Sequence, residues 1–508
     1  MKLFKLIFSR AIVVALAIIL QVALFFTVLY MFNSYFVWFQ VISVIISLVV
    51  FLYIINKKES PEFKIPWLVI IFTVPYFGVI IYIMFARPKI RRKTKVLIKE
   101  VSEKTEHYSN CSADREKTDA VLGKYAGVAR YIENSSHISA RVNSRVTYYK
   151  SGEEFFAALI ADLEKAEKFI FMEYFIIESG KMWDTVHEIL CRKAAGGVEV
   201  RLLYDDMGCL GKVGRNYYKK LRGEGINCWK FNPLLPIVSG IYNNRDHRKI
   251  AVIDGNTAFT GGINLADEYI NEIEKFGHWK DTAVKIEGPA AEHFCSMFLQ
   301  LFDVTTGNIS DYDKYLGLPQ ECFDDGGAVC VMGDGPNPHY PEKVGENTFL
   351  NLINSAEKYV YITTPYLIVD YNIETALRNA ALRGVDVKII TPHIPDKKIV
   401  FGMTRSNYTY LMSAGVKIYE YTPGFIHAKT MIVDGEAAFV GTVNFDYRSL
   451  VHHYECGAVM FRTPCISDIK SDFDDTVSLS ERVTPENFRM SKFAAFINSI
   501  LSIFSPMF

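Results

Sequence analysis

The 508-residue chain is 50% hydrophobic and 22% charged, a balance that excludes a disordered protein and is too apolar for an ordinary soluble one. Its 56 basic and 56 acidic residues cancel, but 12 of the basic ones fall within residues 1–95 beside only Glu59 and Glu62, which leaves the rest of the chain net acidic. A net-acidic body is a poor partner for nucleic acid, whose binding is dominated by phosphate neutralisation; it suits a ligand with one or two phosphates.

Residues 1–95 read as a membrane anchor. The uncharged segments 11–32, 35–55 and 65–86 are each long enough, as helices, to cross a bilayer core of roughly 30 Å. Only Asn33-Ser34 separates the first two. One straight helix of about 45 residues would be more than twice the bilayer thickness, so a tight hairpin is expected there. A signal peptide would have a shorter apolar core and a cleavage site. Lys2, Lys5 and Arg10 precede the first segment, and Arg87, Lys89, Arg91, Arg92, Lys93 and Lys95 follow the third. Three complete crossings would put these clusters on opposite sides, against the positive-inside preference. Either one segment is re-entrant, with Pro75 as the break, or the weaker N-terminal cluster yields. The heavier cluster adjoins the globular part, and all nine cysteines, from Cys111 to Cys465, lie there without paired spacing. Unpaired cysteines fit a reducing compartment, so a multi-pass protein with a cytoplasm-facing globular part is expected.

Residues 96–145 are polar with little sustained periodicity and read as a linker and lead-in segment. Two similar halves follow, 146–325 and 326–485. AEKFIFMEY (166–174) and RKAAGGVEVRLLYDD (192–206) in the first take the places of AEKYVYITTPY (356–366) and RNAALRGVDVKIITP (378–392) in the second. Each half alternates helix with a β-branched and aromatic run, the pattern of α/β units with buried strands. In the tail, 486–508, Phe493, Ile497, Ile500, Leu501 and Phe504 recur at helical spacing. That amphipathic stripe either packs on the core or lies in a membrane interface, and the flanking Phe496 and Ile503 favour the interface.

The stretch HRKIAVIDGNTAFTGGIN at 247–264 returns as HAKTMIVDGEAAFVGTVN at 427–444. His247, Lys249, Asp254, Gly261 and Asn264 thus reappear as His427, Lys429, Asp434, Gly441 and Asn444, each 180 positions on. KIAVID and KTMIVD are strand-like and run into Asp-Gly, a strong hairpin signal, before a second strand that ends at the Asn. His and Lys, two apart, share one strand face, expected to be the wet one. Asp254 and Asp434 belong to the repeated catalytic candidates, yet they lie an odd number of residues from both partners. They should point the other way or into the turn, where a structural role is expected. Imidazole, ammonium and amide together form a phosphate site: Lys249 and Lys429 supply charge, Asn264 and Asn444 supply donors, and the histidines attack or transfer protons. Two histidines at one phosphodiester divide the labour. One attacks phosphorus, while the other protonates the departing alkoxide and later deprotonates the incoming alcohol. Metal binding competes as an explanation, but neither copy places a second ligand at the usual spacing, and a lysine beside each His repels a cation. The lysines can neutralise the equatorial oxygens themselves, so neither a metal nor another cofactor is expected.

H-x-K-x4-D-x6-G-[GT]-x-N, present twice, resembles the signature of the phospholipase D superfamily. The resemblance to its bacterial cardiolipin synthase family runs from ESPEFKIPWLVIIFTVPYFGVIIYIMFA through NNRDHRKIAVIDG, GGINLADEY and WKDT to TPYLIVD, PGFIHAKTMIVDG, NFDYRS and the final SPMF. It implies two homologous α/β domains in pseudo-two-fold arrangement, preceded by transmembrane helices, with the active site at their interface. It also implies a covalent phosphohistidine and phosphatidyl transfer between two phosphatidylglycerol molecules, giving cardiolipin at a bacterial plasma membrane. The family's first copy usually supplies the nucleophile, which makes His247 the nucleophile and His427 the acid, then base. The resemblance further implies that a downstream carboxylate orients each histidine, and Asp281 in HWKD and Glu455 in HHYE match; whether each serves its own half or the opposite one stays open. His453 departs from the family, which usually has Asn there. Water or another alcohol as acceptor is the alternative chemistry, whereas an inactive scaffold would show a broken motif. Glu173-Tyr174 and Tyr366, at strand ends, either touch substrate or pack the rim. Asp205-Asp206 is expected to cap a loop.

Overall fold

A computed structural model describes residues 10–31, 33–86, 90–109, 115–234 and 243–507. One unit holds the helices up to Phe85 with the C-terminal residues from Ser499, and a second holds Arg91–Leu234 and Asn244–Asn498.

In the first unit the helices Arg10–Met31 and Asn33–Ile55 double back on each other. Phe25 and Phe36 would stand about 16 Å apart along one continuous helix; their ring centroids are 5.1 Å apart, as the expected hairpin requires. The second helix carries the 20-residue apolar stretch Phe36–Ile55, long enough to cross a bilayer. Val37, Trp38, Ile42, Val44 and Val49 face outwards from it. The third apolar segment departs from the expectation of a spanning helix. It breaks at Val74-Pro75 into the helices Pro61–Thr73 and Pro75–Phe85, because Pro75 offers no N–H to continue the first. At 13 and 11 residues these are about 20 and 16 Å long, too short to cross. They fold together with the Trp67 and Tyr82 rings 5.4 Å apart. Gly78 permits this contact, since a Cβ there would lie 2.7 Å from the Ile71 Cα. Ser505–Met507 packs on the first of the two. Lys2, Lys5, Arg87, Lys89 and Cys111 lie outside the described residues; the other eight cysteines are unpaired.

In the second unit, residues 96–145 are not a linker. Arg92–Ser109, Arg115–Leu122 and Ala126–Ser136 are helices whose Val101, Leu122 and Ile132 enter the main core, as does Tyr125 from the turn Gly123–Tyr125. Each offers only a thin apolar stripe between charged residues, which is why the periodicity is faint in the sequence.

The first half contributes β1 (Arg145–Tyr149), β2 (Phe169–Tyr174), β3 (Glu199–Asp205), β4 (Asn227–Phe231), β5 (Lys249–Ile253), β6 (Thr257–Gly261), β7 (His278–Lys280) and β8 (Ala283–Glu287). The second contributes β9 (Ala328–Asp334), β10 (Tyr359–Thr363), β11 (Leu367–Ile368), β12 (Asp386–Pro392), β13 (Lys417–Tyr421), β14 (Gly424–Ile426), β15 (Thr430–Val433), β16 (Ala437–Gly441), β17 (Phe445–Asp446), β18 (Glu455–Phe461) and β19 (Ser480–Val483). The seven-stranded sheet runs β1-β8-β6-β5-β2-β3-β4 and the eight-stranded one β19-β13-β12-β10-β15-β16-β18-β9. The run β8-β6-β5-β2-β3 matches β18-β16-β15-β10-β12, the structural counterpart of the 180-residue repeat. In both, a parallel βαβ pair is extended by an antiparallel hairpin. One core cluster draws on both halves, with Phe171, Ile250 and Phe298 from the first and Val331, Met431 and Val459 from the second. One short parallel ladder and one parallel bridge stitch the halves together: β7 pairs with β14, and Asp246 bridges to Tyr454.

The β5–β6 connection takes three residues, Asp254 to Asn256, rather than two. Asp254 and Gly255 have φ of 52° and 76°. The Asp254 carboxylate accepts from the backbone N–H groups of Glu167, Lys168 and Phe169 at 2.7–2.8 Å. Asp434 does the same for Glu357, Lys358 and Tyr359 and also meets the Lys124 ammonium at 2.9 Å. Although carried among the catalytic candidates, both aspartates sit at the far end of the strand from the histidines, where they clamp the hairpin to the start of the central strand. Asp254→Ala strips three N–H groups of their acceptor and should cost about 2–4 kcal/mol, read as a thermal midpoint lower by several degrees. An unchanged midpoint would remove the carboxylate from the fold's support.

Candidate active site

His247 and His427 stand just before β5 and β15, and each is held from the opposite half. The His247 N–H donates to the Tyr454 carbonyl (2.9 Å) and the His427 N–H to the Lys280 carbonyl (2.7 Å). The His247 Nδ1 lies 2.9 Å from both Glu455 carboxylate oxygens, and the His427 Nδ1 lies 2.7 Å from Asp281 Oδ2. The open question is thereby answered: each carboxylate serves the histidine of the other half. With the proton on Nδ1, Nε2 keeps its lone pair for chemistry.

The carboxylates are supported from their own half. Asp281 Oδ1 accepts from the Thr282 N–H (2.8 Å), and Gly262 leaves room for it, since a Cβ there would lie 2.1 Å from that oxygen. In the second copy Thr442 takes the place of Gly262, and its hydroxyl donates to Glu455 Oε2. The Phe175 ring packs 5.1 Å from that of His247, and Tyr269 and Trp279 each lie 5.5 Å from that of His427.

Lys249 and Lys429 donate to the carbonyls of His247 and His427. Lys249, Lys429 and the two histidines are 1–8% exposed, so the face expected to be wet is closed by the other half. Asn264 Oδ1 accepts from the Ile176 N–H (3.0 Å) and its amide donates to the Tyr269 hydroxyl (2.6 Å). Asn444 Oδ1, equally buried, has no such partner.

The remaining candidates separate cleanly. Asp205 caps a loop as expected, accepting from the Met207 and Gly208 N–H groups at 2.8 and 2.9 Å. Glu173 and Tyr174 are fully buried rather than on a rim. Tyr366 donates to Asp396 Oδ2 (2.6 Å). His453 lies beside the nucleophile candidate, its ring 5.4 Å from that of His247 and its Nδ1 3.6 Å from Glu455 Oε1. Arg248, between His247 and Lys249, is the residue that sequence reasoning missed. It points to the opposite strand face, where it donates to the Tyr340 hydroxyl (3.0 Å) and the Glu455 carbonyl (3.2 Å) and faces Glu173 at 3.8 Å. An arginine in the middle of H-R-K, on the face that must be dry, was the available signal.

Burial, together with the neighbouring lysines, pushes the His247 imidazole well below its ordinary pKa and His427 to about 4. Burial also lowers Lys249 to about 8 and Lys429 to about 7, with Glu455 and Asp281 respectively pulling the other way. Burial alone would raise Asp281, but His427 and Lys429 hold it below the usual carboxylate range. A buried cluster of four nitrogen bases with two carboxylates is poised for an anion, whose charge would restore the lysines.

The sequence matches the family model described as "Cardiolipin synthase, PLD-like domain" over residues 159–301 and 349–477, and the model "Phospholipase_D-nuclease N-terminal" over 45–87. An uncharacterized protein of Streptococcus mutans is 43% identical, covering 90% of this chain and 99% of its own. Proteins named cardiolipin synthase from Halalkalibacterium halodurans and a Geobacillus species are 35% and 34% identical, over 88% and 92% of this chain and 88% and 93% of theirs. A Haemophilus influenzae phosphatidylserine synthase structure shares the fold at 13% identity, with a TM-score of 0.54 over 75% of this chain and 98% of its own.

The buried lysines set a pH dependence. Unfolded lysine stays protonated to about pH 10.4, whereas Lys249 and Lys429 begin to lose protons near 8 and 7 in the folded chain. The unfolded state therefore binds more protons above pH 7, and the stability of the ligand-free protein should rise from pH 7 to 9. Lys429→Met should raise stability at pH 7 and flatten that rise in a denaturation series. Binding of inorganic phosphate at pH 8 should draw protons from the buffer, read as a buffer-dependent binding enthalpy; proton release would contradict the scheme.

Proposed function

Because the chain belongs to the cardiolipin synthase family of phospholipase D-like proteins, we propose that it joins two phosphatidylglycerol molecules into cardiolipin and glycerol. The observation that carries this reading is the pair of histidines, each with Nε2 free and Nδ1 held across the interface, beside two buried lysines. In the first step His247 Nε2 attacks phosphorus, the P–O bond to the headgroup glycerol breaks, and protonated His427 gives its proton to the leaving oxygen. The phosphodiester's charge favours that protonation. A hydroxyl of a second phosphatidylglycerol then replaces glycerol, loses its proton to His427 and attacks phosphorus, and the P–N bond to His247 breaks. Lys249, Lys429 and the free amide hydrogens of Asn264 and Asn444 hold the phosphoryl oxygens through both steps. A phosphodiester is exchanged for a phosphodiester, so the reaction runs in both directions without a nucleotide.

The lipid substrates and the apolar helix Asn33–Ile55 support a bacterial plasma membrane as the site of this work. The tail helix Lys492–Ile503 supports a second, interfacial contact. Its apolar residues Phe493, Phe496, Ile497, Ile500 and Ile503 face outwards, whereas the polar Asn498 is its buried residue, donating to the Gly402 carbonyl (3.0 Å). An apolar stripe turned away from the core suits a lipid surface. The eight unpaired cysteines support a cytoplasm-facing catalytic unit.

Purified full-length protein given phosphatidylglycerol should yield cardiolipin and glycerol, and added glycerol should return cardiolipin to phosphatidylglycerol; phosphatidic acid as sole product would make it a hydrolase. With phosphorus-labelled substrate, His427→Asn should retain acid-labile label on the protein and turn over about 10²–10⁴-fold more slowly, whereas His247→Asn should retain none. Label on His427 in the latter variant would reverse the roles. Phe493→Ser with Phe496→Ser should weaken association of the tail helix with phosphatidylglycerol vesicles, measured as loss of lipid-dependent quenching of a probe at position 500.

A further inference from the structure

Within one copy of the motif no second metal ligand stands near the histidine, but the fold brings two to His247 from the other half, His453 and Glu455. One ring nitrogen each of His247 and His453 and one Glu455 oxygen lie within 4.8 Å of one another, all three residues buried. Glu455 Oε1 is the hub, 2.9 Å from His247 Nδ1 and 3.6 Å from His453 Nδ1. His453 is 8% exposed, and neither of its ring nitrogens has a hydrogen-bond partner. Lys249 and Lys429, which donate to the carbonyls of His247 and His427, oppose a cation here, and the Glu455 charge between the two imidazoles is what offsets them. A small cation could therefore enter where the His247–Glu455 proton now sits.

We propose that His247, His453 and Glu455 form an inhibitory site for a borderline-soft divalent transition metal such as zinc. Two imidazoles and a carboxylate are a donor set that zinc accepts, with the fourth position left to water, and hard ions such as magnesium do not seek it. Coordination forms a bond from His247 Nδ1 to the metal and moves that atom's proton to Nε2. Nε2 then lacks the lone pair that attacks phosphorus, so the nucleophile is silenced while the fold stays intact. Loss of turnover rests on the phosphatidyl-transfer reading, whereas metal binding itself does not.

The test uses the full-length protein in detergent with free zinc fixed by a chelator buffer. Wild-type turnover should fall with zinc, but not with magnesium, and return on chelation. His453→Asn should stay active and need at least about tenfold more zinc. A second cluster, His187, Cys191 and Glu224, also has its ligand atoms within 4.8 Å. Cys191→Ser separates the two, because it should leave the inhibition unchanged. Cobalt bound to Cys191→Ser protein should give tetrahedral visible bands without thiolate charge transfer, and His453→Gln in that background should remove them. That spectroscopic arm needs no enzymatic activity, so it separates failure of the metal site from failure of the proposed reaction. Equal zinc sensitivity in wild type and His453→Asn, loss of inhibition in Cys191→Ser, or no cobalt bands in Cys191→Ser protein would each overturn the proposal.

Discussion

The hydrogen bonds from His247 to Glu455 and from His427 to Asp281 are the constraint on which the rest of the structure turns. An imidazole beside a phosphate is useful only if its proton is on the right nitrogen and its ring cannot rotate, and here both conditions are met from the partner half. Neither half orients its own histidine. Each copy therefore needs the other, and the halves share one core rather than meeting as separate domains. The bridge from Asp246 to Tyr454 and the β7–β14 ladder place the backbone, after which each carboxylate has only its own short side chain to extend. Arg248 adds a third tie by donating to the Glu455 carbonyl from beneath.

That geometry forces an electrostatic cost. Two lysines and two histidines are closed into one buried volume with two carboxylates, so burial drives all four bases towards neutrality. The fold tolerates this because each ammonium finds its own histidine's carbonyl and each Nδ1 finds a carboxylate. What remains unbalanced is a demand for negative charge at the centre, which a phosphodiester supplies. Stability is thereby given up where binding occurs, the usual trade at a preorganised site.

Much of this was legible in the chain. The 180-residue displacement of His, Lys, Asp and Asn announced two equivalent sites, and the odd spacing of Asp254 from His247 and Lys249 turned it into the hairpin, where it binds backbone rather than substrate. Other features were hidden for identifiable reasons. Glu455 is 208 residues from His247, and Asp281 is 146 from His427; no local pattern tells which half a side chain will reach. The face carrying His and Lys looked wet because a single strand cannot reveal that a second sheet will cover it. Residues 96–145 carry too few apolar positions per turn to stand out, yet Val101, Leu122 and Ile132 carry their helices into the core. Segment 65–86 has the length of a span, and only Pro75, with Gly78 allowing close approach, shows it as a pair of short helices folded on each other.

The two sites are equivalent in topology but not in chemistry, and the differences fall at the supporting residues. Asp281 has Gly262 behind it and grips His427 through one oxygen, whereas Glu455 has the Thr442 hydroxyl behind it and meets His247 with both oxygens at the same distance. A nucleophilic imidazole becomes cationic when it bonds to phosphorus and remains so until the bond breaks, which favours a carboxylate held symmetrically and charged against Nδ1. An acid–base imidazole must instead gain and lose its proton within one turnover, which a single contact to a carboxylate allows more readily. On the proposed division of labour, the Gly-to-Thr and Asp-to-Glu replacements between the copies are therefore the point at which a duplicated site acquired two roles. His453 stands on the same side of that divide, its ring 5.4 Å from that of the proposed nucleophile His247.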